Sequence, residues 1–191
     1  SVFLVFISPI EIPAETTNQK QQTILMQLLD GKKTSEDIKN EIAVEVQKMV
    51  DKGQKVPHLA AVIVGSNGAS LTYVGSKVRS CQQIGFESTL VALPETISET
   101  ELLEKIIELN EADNIDGFIV QLPLPKHIDD AKVIEAIDPK KDVDGFHPAN
   151  VGRLVQGLNT FIPATPYGVM LMLEHFKIDT KGKRAVVIGR S

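Results

Sequence analysis

Three short apolar runs, Leu59–Val64, Ser88–Leu93 and Phe118–Leu122, are closed in turn by Gly65, Pro94 and Pro123. Helix-patterned stretches separate them. Runs of this length, rich in β-branched residues and bounded by Gly or Pro, read as strands covered on both faces. Their alternation with amphipathic helices leaves few folds open: the pattern predicts βαβ units and a mainly parallel sheet sandwiched between helices. In such sheets ligands bind beyond the carboxyl ends of the strands. Gln121 at the end of the third run, and the turn that follows the first, therefore face one edge.

The first helix is expected from Ser35, with Thr34 or Ser35 as its cap, Ile38, Ile42, Val46, Met49 and Val50 inward, and Gly53 as its stop. After the first strand, Ser66 or Asn67 is placed to cap a second helix that runs to Gly85. On it Leu71, Val74, Val78 and Cys81 recur at steps of three and four and form the inward stripe. Ser70, Tyr73 and Lys77 repeat the same steps about 100° round and share a second face, at the edge of the buried one. A tyrosine and a lysine one turn apart there point to a cleft. Gly75, mid-helix, costs roughly 1 kcal/mol against Ala, and something close to the backbone there, a ligand or a neighbouring element, would explain it. Ser98-Glu-Thr-Glu101 is a capping box opening a helix to about Asn110. A short helix over Asp130–Ile137 precedes the polar loop Asp138–Gly145. Thr165-Pro166 opens another helix, with Val169, Met170, Leu173 and Phe176 inward. A strand over Arg184–Ile188 then runs into Gly189-Arg190-Ser191, the way a dinucleotide-binding unit begins.

Composition narrows the function classes. The 191 residues are 42% apolar and carry a net charge of −5 with Lys and Arg scattered, which gives no nucleic-acid footprint. The single cysteine, Cys81, forms neither a disulfide nor a zinc cluster within the chain, and it reads as core. The four histidines, His58, His127, His147 and His175, have no metal-ligand spacing, so no metal is expected. The apolar N-terminal run is too short to span a bilayer, and no basic region precedes it. Residues 1–23 are read as an extension outside the fold, 24–165 as one α/β domain, and 166–191 as a linker helix plus the first strand of a nucleotide-binding domain.

Tyr73-Val-Gly-Ser-Lys77, Gly117-Phe-Ile-Val-Gln-Leu-Pro-Leu-Pro125, Pro139-Lys-Lys-Asp-Val-Asp-Gly145 and Val187-Ile-Gly-Arg-Ser191 stand in one order and register. From about Met26 onward the chain resembles the bifunctional methylenetetrahydrofolate dehydrogenase/methenyltetrahydrofolate cyclohydrolase family. The resemblance implies a three-layer α/β/α catalytic domain followed by the start of a Rossmann NAD(P)-binding domain. It implies NADP-dependent oxidation of 5,10-methylenetetrahydrofolate to the methenyl cation and hydrolysis of that cation to 10-formyltetrahydrofolate. It assigns Lys77 as the catalytic lysine, Gln121 as its hydrogen-bonding partner, Tyr73 as the ring stacked on the substrate's aminobenzoyl group and Asp144 as the pterin-binding carboxylate. Ser70 joins the substrate side as a weaker candidate, and Gly189, Arg190 and Ser191 fall to the cofactor, with Arg190 on the 2′-phosphate of NADP and NAD as the second choice. Tetrahydrofolate substrates, a homodimer, a cytoplasmic location and no nucleic-acid or membrane partner complete the implication. Taken singly, each residue has a plainer reading: a solvated lysine, a core tyrosine, a strand-end amide satisfying backbone, Asp142 and Asp144 as turn residues. The joint register sets those aside. His147 and Arg153 are read as structural. Two other classes compete, a non-catalytic folate-binding fragment and a two-domain dehydrogenase of amino or hydroxy acids. The set Tyr73, Lys77, Gln121 and Asp144 argues against the last.

Overall fold

The computed structural model describes the backbone of residues 4–9, 29–65 and 68–188; the side chains of 4–9, 69–71 and 188 are outside that description. The chain divides into two compact units, Ser35–Tyr167 and a second made of Ser1–Thr34 with Gly168–Ser191.

In the larger unit, β2 (His58–Val64), β3 (Glu87–Leu93) and β4 (Gly117–Val120) form one parallel sheet in the order β3-β2-β4. All three expected runs thus share a sheet. β2 is the centre, and its alternate residues feed two cores. Ala60, Val62 and Val64 pack with Phe118 and Val120 against Leu102, Ile106 and Leu109 of α3 (Glu99–Glu111) and Val133 of α4 (Asp130–Ala136). Ala61 and Ile63 pack with Ile119 against Val74 and Val78 of α2 (Gly68–Ile84). Helices therefore cover both faces, as the double burial of β2 requires. The chain leaves β2 for one neighbour and returns past it to the other. Right-handed crossovers in opposite directions put α2 and α3 on opposite faces, and the reversal falls between β2 and β4. The Gln121 N–H extends that ladder, donating to Val62 O at 2.9 Å.

The expected capping box is present: Ser98 Oγ accepts from Glu101 N–H, and the Glu101 carboxylate accepts from Ser98 N–H. At the other end of α3, Lys141 Nζ donates to Leu109 O at 3.0 Å and Ala112 O at 2.7 Å, which satisfies carbonyls a helix end leaves orphaned. α5 (Pro148–Val155) was not foreseen. Pro148 stands at its start, and His147 Nδ1 accepts from Ala149 N–H as the cap.

Several boundaries depart from the sequence reading. α1 (Gly31–Asp51) begins before Thr34 and Ser35. Asp30 takes the capping role, because its Oδ1 accepts from Lys33 N–H at 3.0 Å, while Thr34 Oγ1 donates back to Asp30 O. Val50, expected inward, is exposed at the helix end. α6 (Ala164–His175) begins before Thr165, with Tyr167 N–H donating to Pro163 O. Of its expected inward residues Leu173 is buried, whereas Met170 is exposed.

In the second unit, β1 (Leu4–Pro9) pairs antiparallel with β5 (Lys183–Ile188). Leu4–Pro9 lies within the stretch expected outside the fold. The correction has a simple cause: two apolar strands satisfy each other's backbone groups, which neither does alone. Among the described residues no helix is long and apolar enough to cross a membrane.

Candidate active site

Three of the expected residues meet. Tyr73 and Lys77 sit one turn apart on α2, and the Lys77 ammonium lies 4.8 Å from the centre of the Tyr73 ring. The same ammonium also faces Asp144, with Nζ to Oδ1 at 3.7 Å. Lys77 and Asp144 are each about three-quarters buried (25% and 24% exposed). Burial holds the Lys77 amine below its ordinary pKa, and the nearby Asp144 carboxylate opposes this only in part. Burial likewise holds Asp144 above the usual carboxylate range; Lys77 lowers it, while the charge of Asp142 adds to the rise. Both directions agree that loss of water outweighs the attraction between the two groups. A lysine in this state has more neutral amine near neutrality than a solvated one, as proton transfer requires.

Gln121 lies at the carboxyl end of β4, on the same edge of the sheet. Its Nε2–H donates to Leu122 O at 2.7 Å, and its Oε1 is buried with no partner among the described residues. The structure therefore does not show the Lys77–Gln121 hydrogen bond that the motif implies. It shows an unsatisfied buried acceptor instead, and such atoms are rare in folded proteins. The peptide bond Leu122–Pro123 is cis.

Tyr73 is 54% exposed, so its ring is open to solvent rather than enclosed. A Cβ on Gly75 would meet only the Arg79 guanidinium, at 3.5 Å, so among the described residues no neighbouring element presses on the helix there. Of the two expected causes, a ligand or a neighbouring element, the second is not found among the described residues, and the space beside Gly75 is open. The inward stripe is as expected, with Val74 and Cys81 buried and Val78 packed on the core. The side chain of Ser70, the expected cap positions Ser66 and Asn67, and the residues expected to meet the cofactor, Gly189, Arg190 and Ser191, lie outside the described residues.

Asp144 is held by its loop. Phe118 N–H donates to Lys141 O, Val143 N–H to Lys141 O and Gly145 N–H to Asp142 O. Gly145 has φ 69°, and a Cβ there would lie 2.8 Å from Phe161 O. Asp142, weighed earlier as a turn residue, is 2% exposed; its Oδ2 accepts from His147 N–H and from Asn150 Nδ2, each at 2.8 Å. Asn150 is the residue that sequence reasoning missed. Its signal was Pro148 at a helix start, which places Asn150 one turn past His147. His147 and Arg153 are structural as expected: one caps α5, and the other donates to Asn159 O through Nε and Nη2.

Among the described residues no group of three His, Cys, Asp or Glu could hold a metal ion. An open depression of about 410 Å³ in the second unit, lined by Met170, Leu173 and Lys177 among others, includes none of the expected site residues.

The family model for the tetrahydrofolate dehydrogenase/cyclohydrolase catalytic domain matches residues 29–144. The chain belongs to this family. Its relatives include the bifunctional protein FolD of Flavobacterium johnsoniae, 72% identical over 166 residues, which are 87% of this chain and 56% of that protein. FolD of Bacteroides fragilis is 55% identical over the same share of this chain and 57% of its own. Among solved structures, the bifunctional FolD dehydrogenase/cyclohydrolase of Campylobacter jejuni superposes with TM-score 0.78 at 47% identity, covering 81% of this chain and 55% of that one. The Trypanosoma brucei enzyme, solved with NADP cofactor and inhibitor, gives TM-score 0.75 at 32% identity, covering 80% and 52%. The chain spans about half the length of the curated relatives it matches.

Proposed function

We propose that the Ser35–Tyr167 unit binds a reduced folate at the carboxyl edge of its sheet and hydrolyses its methenyl form to the 10-formyl form. The observation that carries this reading is the cluster Tyr73–Lys77–Asp144 in a member of this family, with a desolvated amine between a ring and a carboxylate. Tyr73 offers an open aromatic face for the aminobenzoyl ring. Asp144 supplies acceptors for the N–H groups of the pterin. Neutral Lys77 takes a proton from water as the water oxygen bonds the amidinium carbon. The resulting ammonium returns that proton to the ring nitrogen as its bond to the same carbon breaks, while the new hydroxyl loses its proton to solvent and its electron pair closes the formyl C=O. The buried Oε1 of Gln121 is an acceptor awaiting a donor from the substrate or from Lys77. Ser70 remains a substrate-side candidate.

The same reading places oxidation of the methylene form before hydrolysis, with NADP+ as oxidant, in line with the Trypanosoma brucei relative solved with NADP. Gly189, Arg190 and Ser191 are the candidate contacts, and they lie outside the described residues. A homodimer and a cytoplasmic location belong to the same proposal; equilibrium sedimentation and cell fractionation test them.

Lys77→Met keeps most of the stem and removes the titratable amine. The expected result is a loss of 10²–10⁴ in kcat for methenyl hydrolysis, the typical worth of general acid–base catalysis, with folate affinity held within a few-fold. A variant whose kcat survives while only KM rises would make Lys77 a binding residue. Folate binding without hydrolysis in the unsubstituted chain would instead favour the non-catalytic fragment. Turnover with NADP+ by the 191-residue chain alone is expected to be absent, and product absorbance reads it directly.

A further inference from the structure

We infer that Asn150 and Asp142 are positioning residues, a buried amide–carboxylate pair that sets from behind where Asp144 stands relative to Lys77. For its kinetic consequence this rests on the folate reading above; its geometric consequence does not.

Asn150 is 4% exposed and is the buried residue of α5, a helix whose other positions are mostly open. Its amide is used at both ends. Nδ2 donates to Asp142 Oδ2 at 2.8 Å and to Pro139 O at 2.9 Å, while Oδ1 accepts from Thr160 Oγ1 at 2.8 Å. Asp142 Oδ2 also accepts from His147 N–H. One side chain thus ties together both ends of the 139–142 turn, α5 and the segment at Thr160. Asp144 lies two residues beyond the tied carboxylate, and at Gly145 after it the backbone is packed so closely on the 161–163 segment that a Cβ would lie 2.8 Å from Phe161 O. Asp144 is therefore fixed on both flanks. The charged or titratable groups that face it are Lys77 on α2 and Asp142 on its own loop. An apolar pair of similar volume would be about as stable as a buried polar one. What a fully satisfied polar network adds is a single geometry, and the geometry fixed here is that of the carboxylate beside Lys77.

The test uses four variants of the 191-residue chain: Asn150→Leu, Thr160→Val, Asp144→Asn, and Asn150→Leu combined with Asp144→Asn. The Lys77 pKa is read by NMR after reductive methylation with ¹³C-formaldehyde, its signal assigned by disappearance in Lys77→Arg. If Asn150 holds Asp144 in place, Asn150→Leu lowers the Lys77 pKa, because the carboxylate that raises it has moved away. Thr160→Val, which removes one hydroxyl, lowers it less. In the Asp144→Asn background Asn150→Leu moves it no further. KM for the methenyl folate rises on the order of tenfold in Asn150→Leu with kcat less affected, because the carboxylate proposed to bind the pterin has moved. An unchanged Lys77 pKa in folded Asn150→Leu and Thr160→Val overturns the proposal, and so does a shift that persists when residue 144 is Asn. If Asn150→Leu does not fold, Thr160→Val decides alone. If the unsubstituted chain neither binds nor hydrolyses folate, the functional reading fails while the NMR result still decides the positioning role.

Discussion

Lys77 and Asp144 hold charges against their own desolvation, which gives the site a signature in stability as well as in rate. For Lys77 the folded pKa lies below the unfolded one, so between the two values the unfolded chain binds more protons and stability rises with pH. For Asp144 the folded pKa lies above the unfolded one, so stability rises as pH falls through the folded value. Between these two windows both groups are charged and both weaken the fold. Lys77→Met combined with Asp144→Leu is therefore expected to leave stability at pH 7 unchanged or raised by up to about 1 kcal/mol, short of the 1–4 kcal/mol seen for fully buried pairs. Urea denaturation at several pH values checks this, and the gain should shrink at high pH. At this scale much of the site was legible. Tyr73 and Lys77 share a face because a helix fixes their spacing. Asp144 was reachable only through its motif, since a loop residue's direction depends on contacts far along the chain. Whom Gln121 would bond was not legible either: its amide chose the adjacent carbonyl.

Elements were read better in their existence than in their ends. β2 to β5 and α3 followed from apolar runs and a capping box, both local signals, whereas β1 was not expected. α1 and α6 start early because Asp30 and Pro163, rather than the nearest Thr or Ser, meet the first helical N–H groups. α5 was missed since its cap is a histidine ring and its one buried residue is polar, so hydrophobic periodicity is silent there. The contact between β4 and the Asp144 loop also has no sequence signal beyond a glycine. A Cβ on Gly117 would lie 2.3 Å from Val143 Cγ1 and 3.3 Å from Lys141 O. Gly117→Ala is expected to cost about 1–3 kcal/mol, as overpacking does, and to raise KM for folate by displacing the loop. Val143→Ala in the same chain should restore part of both, and denaturation with steady-state kinetics measures them. Ser98→Ala, which removes the α3 cap, is expected to cost about 1 kcal/mol without touching KM.

Across the whole molecule the organising strand is β2, buried on both sides. Leu102 and Ile106 on α3 are wholly buried against one of its faces, and Val74 on α2 against the other. Leu102→Ala is expected to cost about 2–5 kcal/mol, depending on how far the cavity collapses. Thermal denaturation tests this, with Met170→Ala, exposed in the second unit, as a control expected within about 0.5 kcal/mol. The strand order was not legible from the runs themselves; only the parallel class was, because order is set by which crossovers pack and not by any one run.

Lys140 and Lys141 are chain neighbours of identical chemistry, yet one is exposed while the other closes the end of α3 with two hydrogen bonds. To an amine-acylating reagent they are different molecules. Lys140 should label rapidly and Lys141 slowly, and digestion with mass spectrometry separates the two sites. The ratio is then a built-in gauge of the loop that ends at Asp144: any ligand or substitution that loosens this loop should be recorded as acyl groups arriving on Lys141.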